Sequence, residues 1–368
     1  MASKIKLATV FSGIGSVEWA MKRKNLDYEI KFACDNGDII LDNIDVDKEL
    51  ANIKRLSTIL EMKEYEDELY SEIKRENFVK KSYMENYSIN EINFHRDIRL
   101  LDGSKYKGDV DLLVGGSPCQ SFSIMGYQKG LEDARGTLFY EFARIVNEVK
   151  PKVFIYENVQ GIKNHDQGNT WTVITSIFNS IGYDYTCKIL NSKDFGIPQN
   201  RNRLFVIGFR NKKYLKKLEE PQKTELEYTM QDFLIEKCKF GEFEYGNIKD
   251  DPGTVEEKYY LSDKVLKHVM SEGTKNYKVK PKTDLSVARP LLATMHKMHR
   301  AGVDNYVTIN NKVRKLTPRE CLRLMGYGDD FKQVVSNTQM YKQAGNSIVV
   351  DIFIELLDNL INTGVFER

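Results

Sequence analysis

The sequence predicts an α/β fold, a doubly wound, parallel-rich sheet joined to a smaller and irregular second domain. Three observations carry this expectation. A strand-turn-helix-strand pattern opens the chain, strand and helix patterns alternate as far as Arg210, and the alternation stops over residues 211–310. Residues 5–11 form an apolar run of strand length, Ser12 to Ser16 a glycine-bearing turn, and residues 17–24 a helix. A second strand over 29–34 ends at Asp35. Residues 41–92 hold 8 basic and 13 acidic residues, with Leu50, Ile53, Leu56, Leu60, Leu69 and Ile73 at roughly helical spacing. They read as an acidic helical insertion with a solvated face.

Residues 109–114 predict the next strand, followed by Gly115-Gly116-Ser117-Pro118-Cys119-Gln120. A helix over 138–149 leads to a strand at 153–156 that ends in Glu157-Asn158. A helix at 171–181 and strands at 185–190 and 204–209 complete the alternation. Regular signals return at Thr317, placed to cap a helix with Pro318 in its first position. A last apolar helix, 348–361, ends before Gly364 and is expected to return to the first domain, which is then discontinuous in sequence.

Composition restricts the function classes. The 41% hydrophobic and 29% charged content is that of a soluble globular enzyme. No apolar run approaches the roughly 18 residues of a membrane span. The N-terminus enters a strand directly, without a signal-like segment, so a cytoplasmic protein is expected. Five widely spaced cysteines contain no CxxC pair, against both a disulfide framework and a zinc ribbon. His296 and His299 could share a helix face, but no cysteine or acid stands near to complete a metal site, and no metal is expected.

Four motifs carry chemistry. Phe11-Ser-Gly13-Ile-Gly15 lies between strand and helix, where glycines admit a ligand to the backbone and free N–H groups await it. It suits NAD, FAD, S-adenosylmethionine or a plain tight turn. Glu18 stands where the dinucleotide fingerprint has its third glycine, which disfavours NAD. Asp35 ends the next strand, placed to accept a ribose hydroxyl. Cys119 follows a strand and a rigid proline, either a nucleophile or a small buried hydrophobe. Glu157 is a candidate proton donor or acceptor, or else a capping acid. Arg201 and Arg203, alternate residues entering a strand, share a face suited to a carbonyl oxygen or phosphate, or form a solvated edge.

Taken in order, these motifs resemble the DNA (cytosine-5) methyltransferase family very closely. The matching runs are Phe11–Gly15, Asp97-Ile98, Gly116–Ser123, Glu157-Asn158-Val159, Gln199–Arg203, Arg314–Arg323 and Gly345-Asn346-Ser347. The resemblance implies a Rossmann-like S-adenosylmethionine methyltransferase sheet and a target recognition domain. It implies Cys119 as the thiolate that adds to cytosine C6, Glu157 at N3 and the exocyclic amine, Arg203 at O2, and Arg201 as a brace. The implied cofactor positions are Phe11, Gly13, Gly15, Asp35, Asp97, Ile98, Pro118, Asn346 and Ser347, with S-adenosylhomocysteine as product. Asp35 replaces the usual Glu, and Asn36 stands where a bulky residue often covers the adenine.

The implied domains are a catalytic and cofactor-binding part over 1–210, a target recognition domain over 211–310, a hinge over 311–335 and a C-terminal return over 336–368. The partner implied is double-stranded DNA, its target base flipped out, with residues 120–137 resembling the family's mobile loop. Gln120, Ser123, Thr294, Lys297, His299 and Arg300 are the candidate DNA contacts. A monomer is expected, associated with the nucleoid through DNA, and a separate cognate restriction endonuclease is compatible with it. A tRNA-methylating branch shares the motifs, but the long recognition segment favours duplex DNA. An inert DNA-binding protein on this scaffold is disfavoured by the intact Cys119, Glu157, Arg201 and Arg203.

Charge distribution agrees. The 55 basic and 53 acidic residues leave only +2, yet residues 41–92 carry −5 and residues 275–300 carry +6. The overall balance hides a basic strip suited to phosphates.

Overall fold

The computed structural model describes residues 4–42, 44–118, 138–237, 253–274 and 277–367. The sheet begins with β1 (Ile5–Val10), followed by α1 (Ser16–Arg23) and β2 (Tyr28–Cys34). Three helices follow: α2 (Val46–Arg55), α3 (Ile59–Leu69) and α4 (Phe78–Asn86). Then come β3 (Phe94–His95), β4 (Leu112–Gly115), α5 (Leu138–Val149), β5 (Val153–Val159), α6 (Asn169–Ser180), β6 (Asp184–Asn191) and β7 (Asn202–Phe209). The seven strands lie in the order β3-β2-β1-β4-β5-β7-β6.

Side chains alternate across the strands, so both sheet faces are covered. On one face Ile5 and Leu7 join Val17, Ala20 and Met21 of α1. On the other, Ala8 and Val10 join Phe142, Ile145 and Val146 of α5 and Ile174 and Ile177 of α6. The first five strands in space are mutually parallel, but β7 runs antiparallel to both β5 and β6. The sheet is therefore mixed. Residues 192–201 joining β6 to β7 hold no crossover helix, and without one the returning strand reverses direction. The strand expected from residue 109 starts only at Leu112, because Asp111 turns its carboxylate back to the Lys6 amide.

Beyond β7 the elements are short: α7 (Lys212–Leu215), α8 (Asp263–Val269), the β8 (Gly273–Thr274) and β9 (Tyr277–Lys278) pair, and the hairpin of β10 (Tyr306–Ile309) and β11 (Lys312–Lys315). Met230, Phe233, Leu291 and Met295 of this stretch join the same apolar cluster as α1. Next come α9 (Pro318–Arg323), α10 (Asn337–Asn346) and α11 (Val350–Asn362). Thr317 caps α9 in a reciprocal box with Glu320, and Pro318 occupies the first turn. The buried Arg314 donates to both Glu236 and Glu320, fixing β11 to the start of α9.

Helix α11 packs on the α1 side of the sheet. Phe353, Leu356 and Leu360 join the α1 face of the core, and Arg23 of α1 grips both Asp351 oxygens at 3.0 Å and also donates to the Gly326 carbonyl. Both members of this pair are about nine-tenths buried. Removing one partner of such a pair strands the other charge, so Arg23→Met should cost about 3 kcal/mol of unfolding free energy in urea titration. The double variant Arg23→Met/Asp351→Leu should lose less.

Candidate active site

The strand order reverses between β1 and β4, and in open α/β sheets the ligand crevice lies at that point, beyond the carboxyl ends of the strands. A cavity sits there with about 470 Å³ of empty space. Its walls come from the end of β1 through Phe11 and Gly13, from Gly116 after β4, from Glu157 on β5, and from Asn346 and Ser347 after α10. Motifs more than 300 residues apart thus meet at one place.

Glycine is demanded where the backbone is crowded. Gly15 has φ +77°, and a Cβ there would stand 2.3 Å from the Tyr87 ring. Tyr87, just after α4, donates its hydroxyl to the Ile14 and Gly15 carbonyls. At Gly345 a Cβ would meet the Ala293 amide nitrogen at 2.3 Å. That close approach seats the Leu291–Met295 run against the segment that closes the cavity.

Glu157 Oε1 pairs with Arg203 Nε at 2.9 Å. Burial pushes the Glu157 carboxyl above its ordinary range, against the pull of Arg203 and Arg201. The group is thus biased towards holding a proton while keeping a cationic neighbour. Arg201 is 3% exposed and does not point at the same target as Arg203. Its guanidinium donates to the carbonyls of Leu291, Gly345 and Ser347 at 2.9–3.0 Å. Burial and Arg203 lower its proton affinity, while Glu157 raises it.

Asp35 does not line the cavity directly. It accepts from the Gly13 amide and the Gly37 amide, both at 2.9 Å, and so shapes the glycine loop; burial raises its carboxyl. Asp97 and Ile98 are buried beside β3, and the Asp97 oxygens are closed off by a bidentate Arg99 guanidinium. Pro118 is exposed at the end of the described run, while Cys119, Gln120 and Ser123 lie outside the described residues. Thr294 Oγ1 bonds His299 Nε2 at 2.8 Å. Lys297, His299 and Arg300 line a second hollow with His268 and Glu272, of about 540 Å³. His296 and His299 share no helix face, since the single turn Met295–Lys297 ends at Met298 with φ +52°. Among the described residues no cluster of metal-ligating side chains occurs.

Residues 41–92 are helical but not a solvated excursion. Tyr83 and Tyr87 are buried under the glycine loop, Asn77 donates to the Asp35 carbonyl, and Glu66 accepts from the Arg96 and Asp97 amides at 2.6 and 3.1 Å. The acidic surplus concealed these inward-facing groups. Sequence reasoning also passed over Asn158, whose amide donates to the Ser117 carbonyl at 3.0 Å and the Tyr156 hydroxyl at 2.8 Å. It thereby holds the strand end that leads to Cys119. Gln199 likewise joins the Leu291 amide to the Leu324 carbonyl. Both stand inside the quoted motifs, where their spacing was the available signal.

The fold and cavity define a Rossmann-like α/β protein with its site at the topological switch point. Residues 50–362 match the family description of C-5 cytosine-specific DNA methylases, and the chain belongs to that family. It is an enzyme of that class, a cytosine-C5 methyltransferase acting on DNA. It is 38% identical over 253 residues to the type II methyltransferase M.HhaI of Haemophilus parahaemolyticus, which covers 68% of this chain and 76% of that protein. An orphan methyltransferase of Bacillus phage SPR, M.SPRI, is 27% identical over 98% of both chains. The Dnmt2 methyltransferase of S. pombe shares the fold, with a TM-score of 0.65 and 18% identity over 97% of this chain and 98% of that one.

The Arg201 anchor gives a test. Arg201→Met leaves three buried carbonyls without a donor, which should lower stability by about 2–4 kcal/mol in denaturant titration. Arg203→Met, at the partly exposed pair, should cost less than half as much.

Proposed function

We propose that the protein methylates C5 of a cytosine flipped out of a specific duplex DNA sequence, through a covalent bond between Cys119 and C6. The observation that supports this most is the buried Glu157 held by Arg203 at the carboxyl end of β5, beside a glycine-walled cavity. Cytosine C5 is a weak nucleophile. Addition of the Cys119 thiolate at C6 converts the ring to an enamine whose C5 is nucleophilic. Negative charge grows towards N3 and O2 during that addition. Glu157, whose proton affinity burial raises, gives a proton at N3, and Arg203 donates at O2. After methyl transfer a base removes the C5 proton, the thiolate leaves and N3 returns its proton to Glu157, restoring the ring.

The cavity fits S-adenosylmethionine by its walls: a glycine turn at β1, Asp35 behind it, and Asn346 and Ser347 opposite. When bound, this cofactor supplies an electrophilic methyl group. Phe11, Gly13, Gly15, Asp35, Asp97, Ile98, Pro118, Asn346 and Ser347 would hold it. Asp97 becomes available to a ligand only if Arg99 swings away. Flipping the base costs a few kcal/mol, which the protein recovers through DNA contacts. Thr294, Lys297, His299 and Arg300, the last three lining the second hollow, and Gln120 and Ser123, which follow Cys119 in the sequence, are the residues assigned to those contacts. A type II restriction partner is compatible with the relatives, as is the orphan state.

DNA carrying 5-fluorocytosine at the target cannot lose its C5 substituent as a proton, so the adduct should persist. The wild-type protein with cofactor should form a denaturant-resistant complex with such DNA, and Cys119→Ser should form none. Glu157→Gln keeps the shape but cannot give a proton, so turnover should fall by about 10²–10⁴-fold. A resistant complex with Cys119→Ser, or unchanged turnover with Glu157→Gln, would contradict the mechanism.

A further inference from the structure

Among the described residues, the cavity at the switch point is lined by two carboxylates and no basic side chain. They differ in one respect. Glu157 has Arg203 as counter-ion, whereas among the described residues no cation pairs with Glu18. Glu18 sits on α1, 1% exposed overall. Its Oε1 accepts from the Tyr83 hydroxyl at 2.5 Å and the Thr9 hydroxyl at 2.8 Å. Burial pushes the Glu18 carboxyl up, these hydroxyls and a main-chain amide pull it down, and among the described residues no cation pairs with it. A buried carboxylate held only by hydroxyls is costly unless a cation completes it. Nothing in the reaction at the base uses Glu18.

We propose that Glu18 binds the α-ammonium group of S-adenosylmethionine, as a recognition residue for the amino-acid end of the cofactor, and that Thr9 and Tyr83 position it. This rests on the reading of the cavity as the cofactor site. The cofactor has two cationic groups. Its sulfonium carries the methyl, which must face the base beside Glu157 on β5. Thr9, which holds the Glu18 carboxyl, lies on β1, two strands away and roughly 10 Å across the sheet. The sulfonium is therefore committed to the Glu157 side. The ammonium, three carbons along the chain from sulfur, is the cation free to reach the β1 side. Tyr83 belongs to α4, so the stretch 41–92 extends into this contact and fixes the carboxylate from behind.

Calorimetric binding of three adenosine ligands separates this from other roles. S-adenosylmethionine and S-adenosylhomocysteine both carry the ammonium, and 5′-methylthioadenosine has the same adenosine and thioether without it. Glu18→Gln should weaken the first two by about tenfold or more, the size expected for a lost charged hydrogen bond, and leave 5′-methylthioadenosine within twofold. Tyr83→Phe keeps the charge but frees it to move. It should produce the same pattern at a smaller size, about threefold, and decides the matter if Glu18→Gln does not fold. Equal weakening of all three ligands would mean a structural role and would overturn the assignment. Weakening of S-adenosylmethionine alone would place Glu18 at the sulfonium and overturn it too, as would unchanged affinities. If the wild-type protein binds none of the three, the cofactor reading of the cavity fails with it. Wild-type binding that Glu18→Gln leaves intact confines the failure to this assignment.

Discussion

One guanidinium holds together the parts that make the site. Arg201, just before β7, donates to main-chain carbonyls at Leu291, Gly345 and Ser347. These lie in the irregular segment after β7 and at the end of α10, so a single buried cation joins three stretches separated by up to 146 residues. Its charge is balanced by carbonyl dipoles and, at longer range, by Glu157. Beside this clamp the Leu292–Ala293 backbone lies against α10 at Gly345, where only a residue without a Cβ fits. Arg203, two residues on, is thereby left with Glu157, and the two arginines divide scaffold and chemistry between them.

The stretch 41–92 supports the other wall. It has no motif of its own, yet Tyr87 supplies hydrogen bonds to the backbone of the glycine loop and Glu66 accepts them from the Arg96–Asp97 turn. A glycine loop with positive φ at Phe11, Gly13 and Gly15 has little intrinsic preference for one shape. The aromatic wedge of Tyr87, stacked near Tyr83 with ring centroids 4.8 Å apart, selects that shape from behind. A loop held in one shape meets a ligand without a further ordering cost.

Much of this was legible in the sequence because short-range rules govern it. The apolar runs at 5–11, 153–156 and 204–209 mark strands whatever their neighbours, and Thr317-Pro318 marks a helix start by its own chemistry. Motif order brought Phe11, Glu157 and Ser347 to expectation as one site, and they do line one cavity. Strand direction was not legible, since periodicity is the same for parallel and antiparallel pairing. The inward role of 41–92 was hidden for a related reason. Net charge describes a segment's surface, whereas Tyr83, Tyr87 and Glu66 act through partners far along the chain. The division of labour between Arg201 and Arg203 was equally invisible, because alternation says which residues share a face and not which carbonyls await them.

The central claim is that this site transfers a methyl group to C5 of cytosine in duplex DNA. The most direct measurement incubates the protein with S-adenosylmethionine labelled in its methyl group and with duplex DNA and tRNA in parallel, then digests both and separates the nucleosides. Label in 5-methyldeoxycytidine from the duplex, with none in the tRNA digest, is the result the site predicts. Label in the tRNA digest alone, or on any DNA base position other than cytosine C5, would contradict it.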